Sequence, residues 1–456
     1  MPNSFIFDSN KCTGCHACRL ACTIENELTP ESSWRKIETF NPRHHPSLPL
    51  YHLSLACNHC SEPACMYACP AAAYSRDPMT GAVLLDEAKC IGCRYCSWAC
   101  PYDAPLFDPA RGVMSKCTFC NHRLREGLKP ACAALCPTGA LDFADLPEEK
   151  LGGKIAGLPE TQLEPRIFIK PLDSRRRLPL MAVPRSLESA DSQPASPTSD
   201  ISLRSEWSLV GFTTTVAALV GMVTARLSGA FMLDPRLFAG LAVAALGLAT
   251  LHLGRPGRAF RALLNLRRSW LSREALAVSS FIALAAAYLW LTPDRQLIGS
   301  LAVITGLLAL VCADQVYSVL GADNPGYRHS ASVIWTGFYL AGIFAGRAWL
   351  AGVFGLGKSL LYLFRKMDFA AAGRPSRPLV SAARLAVGFI IPFSLWLLDR
   401  EGTFAYVVAC AVIGEAIDRC EYYDGLETES PRRRMAVELQ AQAADLSIHR
   451  EPAAAD

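Results

Sequence analysis

Sixteen of the nineteen cysteines lie between Cys12 and Cys136, in four groups that each end in a Cys-x3-Cys step. The first is Cys12, Cys15, Cys18 and Cys22. The second is Cys57, Cys60, Cys65 and Cys69, followed by Pro70. The third is Cys90, Cys93, Cys96 and Cys100, followed by Pro101. The fourth is Cys117, Cys120, Cys132 and Cys136, followed by Pro137. Groups one and three have the C-x2-C-x2-C-x3-C spacing of bacterial ferredoxins. A cubane cluster needs four thiolates around one core. A tight C-x2-C-x2-C loop supplies three of them, and a cysteine from a distant group supplies the fourth. Sixteen ligands, four per cluster, give four 4Fe–4S clusters.

Structural zinc is the competing use of paired C-x2-C steps. Zinc pairs one such step with another across a longer spacer, and has no use for the fourth Cys-Pro or for four repetitions. Disulfides fit less well, because cytosolic thiols stay reduced and no secretory signal is read in Met1–Lys11. That segment also shows no twin-arginine motif. Cys312, Cys410 and Cys420 stand outside the groups and read as small apolar packing residues.

The four groups, with C-N-H-C-S-E-P-A-C at Cys57–Cys65 and C-T-F-C at Cys117–Cys120, resemble the four-cluster iron–sulfur subunit of the DMSO-reductase family. The resemblance implies four ligand sets. They are Cys12, Cys15 and Cys18 with Cys136; Cys117, Cys120 and Cys132 with Cys22; Cys57, Cys60 and Cys65 with Cys100; and Cys90, Cys93 and Cys96 with Cys69. All sixteen positions are cysteine, so the three-iron variant seen in some relatives is not expected.

Residues 1–170 are therefore expected to form an α+β, ferredoxin-like electron-transfer domain. Short strands such as Ala82–Leu85 and Arg166–Ile169 would alternate with brief helices at Leu20–Glu27 and Met66–Cys69. The metal would be needed for folding. Lys11, Arg94 and Lys116 sit beside cysteines, either to offset cluster charge or as solvated surface charges. Residues 171–205, with Arg175–Arg177 and the Ser/Pro/Ala-rich Pro184–Asp200, read as a disordered linker.

From Trp207 the composition changes. The chain as a whole is 51% hydrophobic and 19% charged, with mean hydropathy +0.20. Apolar runs at Trp207–Leu227, Leu237–Gly254, Ala275–Leu291, Leu297–Tyr317, Val333–Ala351, Leu379–Leu398 and Phe404–Ile417 read as membrane spans, with a shorter one at Gly355–Lys366. Residues 206–425 are thus expected to be an all-α polytopic domain of about eight transmembrane helices, followed by a charged, alanine-rich tail at 426–456. The net charge of +4 gives no reason to expect nucleic acid.

Basic residues cluster in two loops, Arg255–Arg273 and Arg365–Arg377, with Arg328 counted on the same side. Arg226, Arg236, Arg295, Lys358 and Arg400 are scattered on the other. The positive-inside rule puts both loops, and the cysteine domain, in the cytoplasm of a bacterial inner membrane, and requires an even number of crossings between the loops.

His252-Leu-Gly-Arg-Pro, Ser269–Glu274 and Glu415-Ala-Ile-Asp-Arg419 resemble the quinol-oxidising anchor of the same family. That resemblance implies an anchor without haem that exchanges electrons with a quinone. The residues support this independently. A charge at a helix centre costs about 2.5–3.5 kcal/mol, yet His252, Glu274, Asp314, Glu415, Asp418 and Arg419 are all expected at one end of their spans. Quinol releases two protons with its two electrons and needs a base. His252 and Glu274 are the candidate quinone contacts, against an interfacial histidine and a helix-N-terminal carboxylate. Asp314, Glu415, Asp418 and Arg419 read as ion pairs or loop anchors. The arginine loop would bind anionic lipid or dock the cluster domain. Haem is not expected, because only His252 and His329 are candidate ligands in this half.

The expected role is an electron-transfer, quinone-binding membrane subunit for a separate molybdopterin catalytic subunit. The direction of flow is not encoded, and the cytoplasmic orientation favours sulfite oxidation. A hydrogenase or formate dehydrogenase partner, or a non-redox metal-binding membrane protein, are the alternatives.

Overall fold

The computed structural model describes residues 3–45, 48–147, 149, 151–152, 155, 157–159, 161–173, 201–291, 296–320, 329–371, 377–398, 402–426 and 428–448. They form two compact units, one from the residues up to 173 together with 428–448, the other from 201–426. Arg175–Arg177, Pro184–Asp200, Arg295, Arg328, Arg374 and Arg400 lie outside the described residues.

The first unit runs β1 (Asn3–Asp8), α1 (Ala17–Glu25), β2 (Lys36–Phe40), β3 (Tyr51–Leu55), α2 (Ala64–Ala68), β4 (Tyr74–Arg76), β5 (Val83–Leu85), α3 (Tyr95–Trp98), β6 (Leu106–Asp108), β7 (Val113–Ser115), α4 (Asn121–Arg125), α5 (Ala131–Ala134), β8 (Leu141–Asp145) and β9 (Ile167–Lys170). β1 is the central strand of a three-stranded sheet, antiparallel to β8 and parallel to β9. β2–β3, β4–β5 and β6–β7 are separate antiparallel hairpins. Period-two alternation turns Phe5 and Phe7 inward. Phe5 meets Phe119 and Phe143 edge-on, at centroid distances of 5.1 and 5.4 Å. The helices stay short because each is wedged between cysteine loops.

The second unit holds α6 (Leu203–Leu227), α7 (Pro235–Leu251), α8 (Trp270–Trp290), α9 (Gln296–Gln315), α10 (Val333–Phe344), α11 (Ala348–Ala371), α12 (Pro378–Leu385), α13 (Ile391–Leu397) and α14 (Phe404–Gly425). Among the described residues, four of its helical segments are long and apolar enough to cross a membrane, or five if α7 and the 3-10 turn Pro256–Leu263, bent by 99°, count as one. Ser202 caps α6 with a capping box, and Asp234 and Ser269 cap α7 and α8. α6 is the hub: Val216, Ala217, Leu219, Val220 and Val223 are all at most 2% exposed.

The structure corrects two readings of the spans. The run Val333–Ala351 is not one helix. It breaks after Phe344, where Gly346 is left-handed at φ 65°, and α10 alone rises about 18 Å at 1.5 Å per residue, short of a ~30 Å hydrocarbon core. The weak stretch at Gly355–Lys366 is instead the middle of the 24-residue α11.

The stretch Leu379–Leu398 is also interrupted, by a π turn at Ala386–Ile390 between α12 and α13. Pro392 has no N–H for the carbonyl four residues before it, that of Gly388. The Tyr339 hydroxyl donates to that carbonyl instead, at 2.7 Å. Gly388 lies against Gly414 of α14 so closely that a Cβ on either would collide with the other's backbone.

Within the charged, alanine-rich tail lies α15 (Pro431–Ile448). Met435 and Leu439 pack into the core of the first unit.

Candidate functional site

Four loops share one backbone device. In the first C-x2-C step of each group the residue before the second cysteine is left-handed: Gly14 (φ 68°), His59 (45°), Gly92 (70°) and Phe119 (64°). Glycine takes this conformation freely. The other two loops place His59 and Phe119 there, at a cost of about 1–3 kcal/mol each. Their rings stack on each other at 4.0 Å and 17°, which offsets it. The turn aims backbone N–H groups at sulfur. Gly92 and Phe119 donate to Cys90 and Cys117 Sγ, each at 3.4 Å, and Ala73 and Leu141 donate to Cys69 and Cys136 at the same distance. Donors of this kind stabilise thiolate and tune cluster potential.

The thiols gather as four sets of electrostatic neighbours. Cys12 has Cys15, Cys18 and Cys136. Cys117 has Cys22, Cys120 and Cys132, with Cys57 also near. Cys60 has Cys57, Cys65 and Cys100. Cys93 has Cys69 and Cys90, and Cys96 has Cys93 and Cys69. All sixteen are free thiols. Cys22, Cys117, Cys120 and Cys132 line one narrow internal space with Phe5, Trp34 and Arg35. Burial pushes the Cys22 thiol up to about 11 and the Cys100 thiol up to about 12. Among the described residues no three His, Cys, Asp or Glu side chains are placed around a single ion. A cubane holds its thiolates on separate irons, farther apart than one ion would. The donor set therefore fits 4Fe–4S clusters.

Of the cations flagged in the sequence, Lys116 is buried and donates to the carbonyls of Val83 and of Cys117, the latter at 2.9 Å. Arg94 covers the Phe107 ring at 4.2 Å, and Lys11 is exposed. Sequence reasoning missed Arg35, which is 1% exposed among the thiols.

In the second unit, Glu274 is the fifth residue of α8 and is buried, past the first turn whose N–H groups would favour a carboxylate. Arg419 and Asp314 are its charged neighbours. Arg419 donates to Ala331 O (2.8 Å) and Tyr317 Oη (3.1 Å), within a cage of the Tyr317, Tyr422 and Tyr423 rings. Asp314 accepts from Ser332 Oγ (2.5 Å) and from the N–H groups of Val333 (2.7 Å) and Ile334 (3.1 Å), so it anchors the start of α10. It also borders a cavity of about 270 Å³ walled by Val311, Ile334, Trp335, Phe338 and Phe354.

Glu415 and Asp418 belong to a separate buried network. Glu415 pairs with Lys358 at 2.7 Å. Asp418 pairs with Arg365 (2.8 Å) and Arg384 (3.1 Å). Lys358, counted in the sequence among the scattered far-side charges, is 1% exposed and serves this network. His252 is the half-buried C-cap of α7.

Residues 48–146 match a 4Fe-4S dicluster domain, and residues 205–360 match the DMSO reductase anchor subunit (DmsC). Three curated relatives match the cysteine-rich half, each the B component of its own complex. The sequence is 43% identical over 180 residues to that of the anaerobic dimethyl sulfoxide reductase of Escherichia coli, covering 37% of this chain and 87% of the relative. It is 34% identical over 214 residues to that of the sulfite dehydrogenase of Allochromatium vinosum, covering 41% and 89%. It is 34% identical over 194 residues to that of the tetrathionate reductase of Salmonella typhimurium, covering 39% and 76%. An iron–sulfur half of this kind followed by an anchor-like half in one polypeptide makes this protein a member of the DMSO reductase family, as an iron–sulfur subunit fused to its membrane anchor.

Proposed function

We propose that this chain conducts electrons through four 4Fe–4S clusters between a membrane quinone and a separate molybdopterin catalytic subunit. The observation that supports the reading is sixteen free thiols in four ferredoxin-like groups, followed by an anchor-like half in the same chain. The clusters, when bound, accept and release single electrons. The chain's own residues hold them by thiolate, direct backbone N–H groups at the sulfurs, and bury them among the rings of Phe5, Phe119 and Phe143. Cys12, Cys15, Cys18 and Cys136 form one ligand set. Cys22, Cys117, Cys120 and Cys132 form the second, Cys57, Cys60, Cys65 and Cys100 the third, and Cys69, Cys90, Cys93 and Cys96 the fourth.

In the anchor, Glu274 takes a hydroxyl proton from quinol and His252 contacts the head group. A buried carboxylate with a caged arginine as neighbour supports the first role, because the product proton needs a base inside low dielectric. The apolar cavity beside Asp314 supports access for a lipid-soluble ring. The arginine-rich loops support an even number of crossings between them and an iron–sulfur domain that faces the cytoplasm of a bacterial inner membrane. The catalytic partner acts on an S-oxide or on a sulfur oxyanion, as the names of the relatives suggest.

The test is anaerobic. A short-chain quinol is added to the purified protein in liposomes, and cluster reduction is followed by EPR. Reduction within the mixing time is expected, slowed about a hundredfold in Glu274→Gln, the low end for a lost general base. Fully loaded clusters that stay oxidised would remove the quinone assignment.

A further inference from the structure

Arg35 joins β2 to the loop before it and is 1% exposed. Its Nη1 donates to the carbonyl and the hydroxyl of Ser54, both at 3.2 Å. The guanidinium lies over the Phe5 ring at 4.6 Å. Its Nε and Nη2 have no hydrogen-bond partner, and among the described residues no carboxylate pairs with it. A guanidinium buried this completely without a counter-anion is among the costliest arrangements a fold can hold. Lys116, the other buried cation nearby, has its ammonium satisfied by two carbonyls.

The surroundings of Arg35 name the missing anion. It lines the same internal space as Cys22, Cys117, Cys120 and Cys132. Its electrostatic neighbours are Cys132, Cys18, Cys117 and Cys22. Ser54, which holds its Nη1, also stands with Oγ 3.4 Å from Cys18 Sγ, in the neighbouring set. A 4Fe–4S core with four thiolates is a net anion, and gains one further negative charge on reduction. A fixed cation beside it favours the reduced form, and charge and hydrogen bonds of this kind set cluster potentials.

We infer that Arg35 is the built-in counter-cation of the cluster held by Cys22, Cys117, Cys120 and Cys132, and that it raises the reduction potential of that cluster relative to the others. The inference rests on the cluster reading above. Through Ser54 the same side chain is tied to the set of Cys12, Cys15, Cys18 and Cys136, so the effect on that second cluster is smaller and of the same sign.

The test is an EPR-monitored redox titration of the full-length protein. Arg35→Met removes the charge and keeps most of the stem volume; Arg35→Lys keeps the charge and loses the planar fork. In R35M one midpoint falls clearly, a second falls slightly and the rest stay. R35K recovers most of the larger shift, which a packing role would not produce. Four unmoved midpoints in an R35M protein with full iron content would overturn the inference and leave the cluster reading standing. A wild-type protein without iron and sulfide would overturn that reading itself. If R35M assembles fewer clusters, wild-type protein carrying [15N]arginine decides by pulsed EPR. Coupling of a guanidinium nitrogen to a reduced cluster is expected, and its absence overturns the proposal.

Discussion

Asp418→Asn is the sharpest test of how the anchor is held together. Asp418 is 0% exposed and accepts from Ser330 Oγ (2.9 Å), Arg365 (2.8 Å) and Arg384 (3.1 Å). At an effective dielectric of about 20, each charged contact is worth about 5–6 kcal/mol before desolvation is subtracted. The amide keeps an acceptor for Ser330 and withdraws the charge from two guanidinium groups. Leaving a buried cation unpaired costs about 3–5 kcal/mol. Arg384 retains Glu415 at 3.9 Å and the Arg365 side chain is 11% exposed, so a loss of about 3 kcal/mol is expected, at the low end of that range. The assay is unfolding in mixed micelles with increasing SDS, followed by tryptophan fluorescence. Adding Arg365→Met to the variant should recover part of the loss, because it removes a charge that no longer has its partner. Iron content should not change, since none of these residues lies in the cysteine unit. An unchanged midpoint for D418N, or a double variant weaker than D418N, would refute the account of this network.

Three further outcomes are expected. Tyr339→Phe strands the Gly388 carbonyl and should cost about 1–3 kcal/mol; Pro392→Ala, which restores an N–H to that carbonyl, should suppress the loss in the same SDS assay. Gly14→Val puts a β-branched residue at φ 68° with its Cβ 2.7 Å from the His52 ring, and should remove roughly four irons per chain while the other clusters remain. In the first unit, the Arg125 guanidinium at 2.6 Å, with the Thr80 and Met79 N–H groups, holds the Asp77 carboxyl well below the usual carboxylate range. A depressed carboxylate stabilises fully above its unfolded value of about 3.9, and loses that contribution as pH falls toward the folded value. The stability gap between wild type and Asp77→Asn should therefore be constant above about pH 4 and shrink below it, as read by denaturant midpoints across a pH series.

Much of the site was legible because most of its cysteines are close in sequence. C-x2-C spacing fixes a turn, and the turn fixes two or three thiols of each group. The fourth thiol comes from a distant group, which spacing alone does not identify; the family resemblance supplied it. Arg35 could not be read, because nothing in Ser33-Trp34-Arg35-Lys36 marks one cation as buried among thiols. The apolar runs located the helices of the anchor. The break at Gly346 and the π turn before Pro392 were hidden because hydropathy does not register a turn inside an apolar stretch. Glu415 and Asp418 were rightly read as paired, but their partners Lys358, Arg365 and Arg384 come from helices that only tertiary packing brings together. The packing of α15 on the first unit depends on Met435 and Leu439, two apolar residues in an otherwise polar helix; their stripe was too sparse to predict burial.

Iron and acid-labile sulfide, counted per chain on anaerobically purified protein, bear on the central claim most directly. Four thiolate quartets predict about sixteen of each, in a brown protein whose EPR signals appear on reduction. A colourless chain with stoichiometric zinc and no sulfide would contradict it.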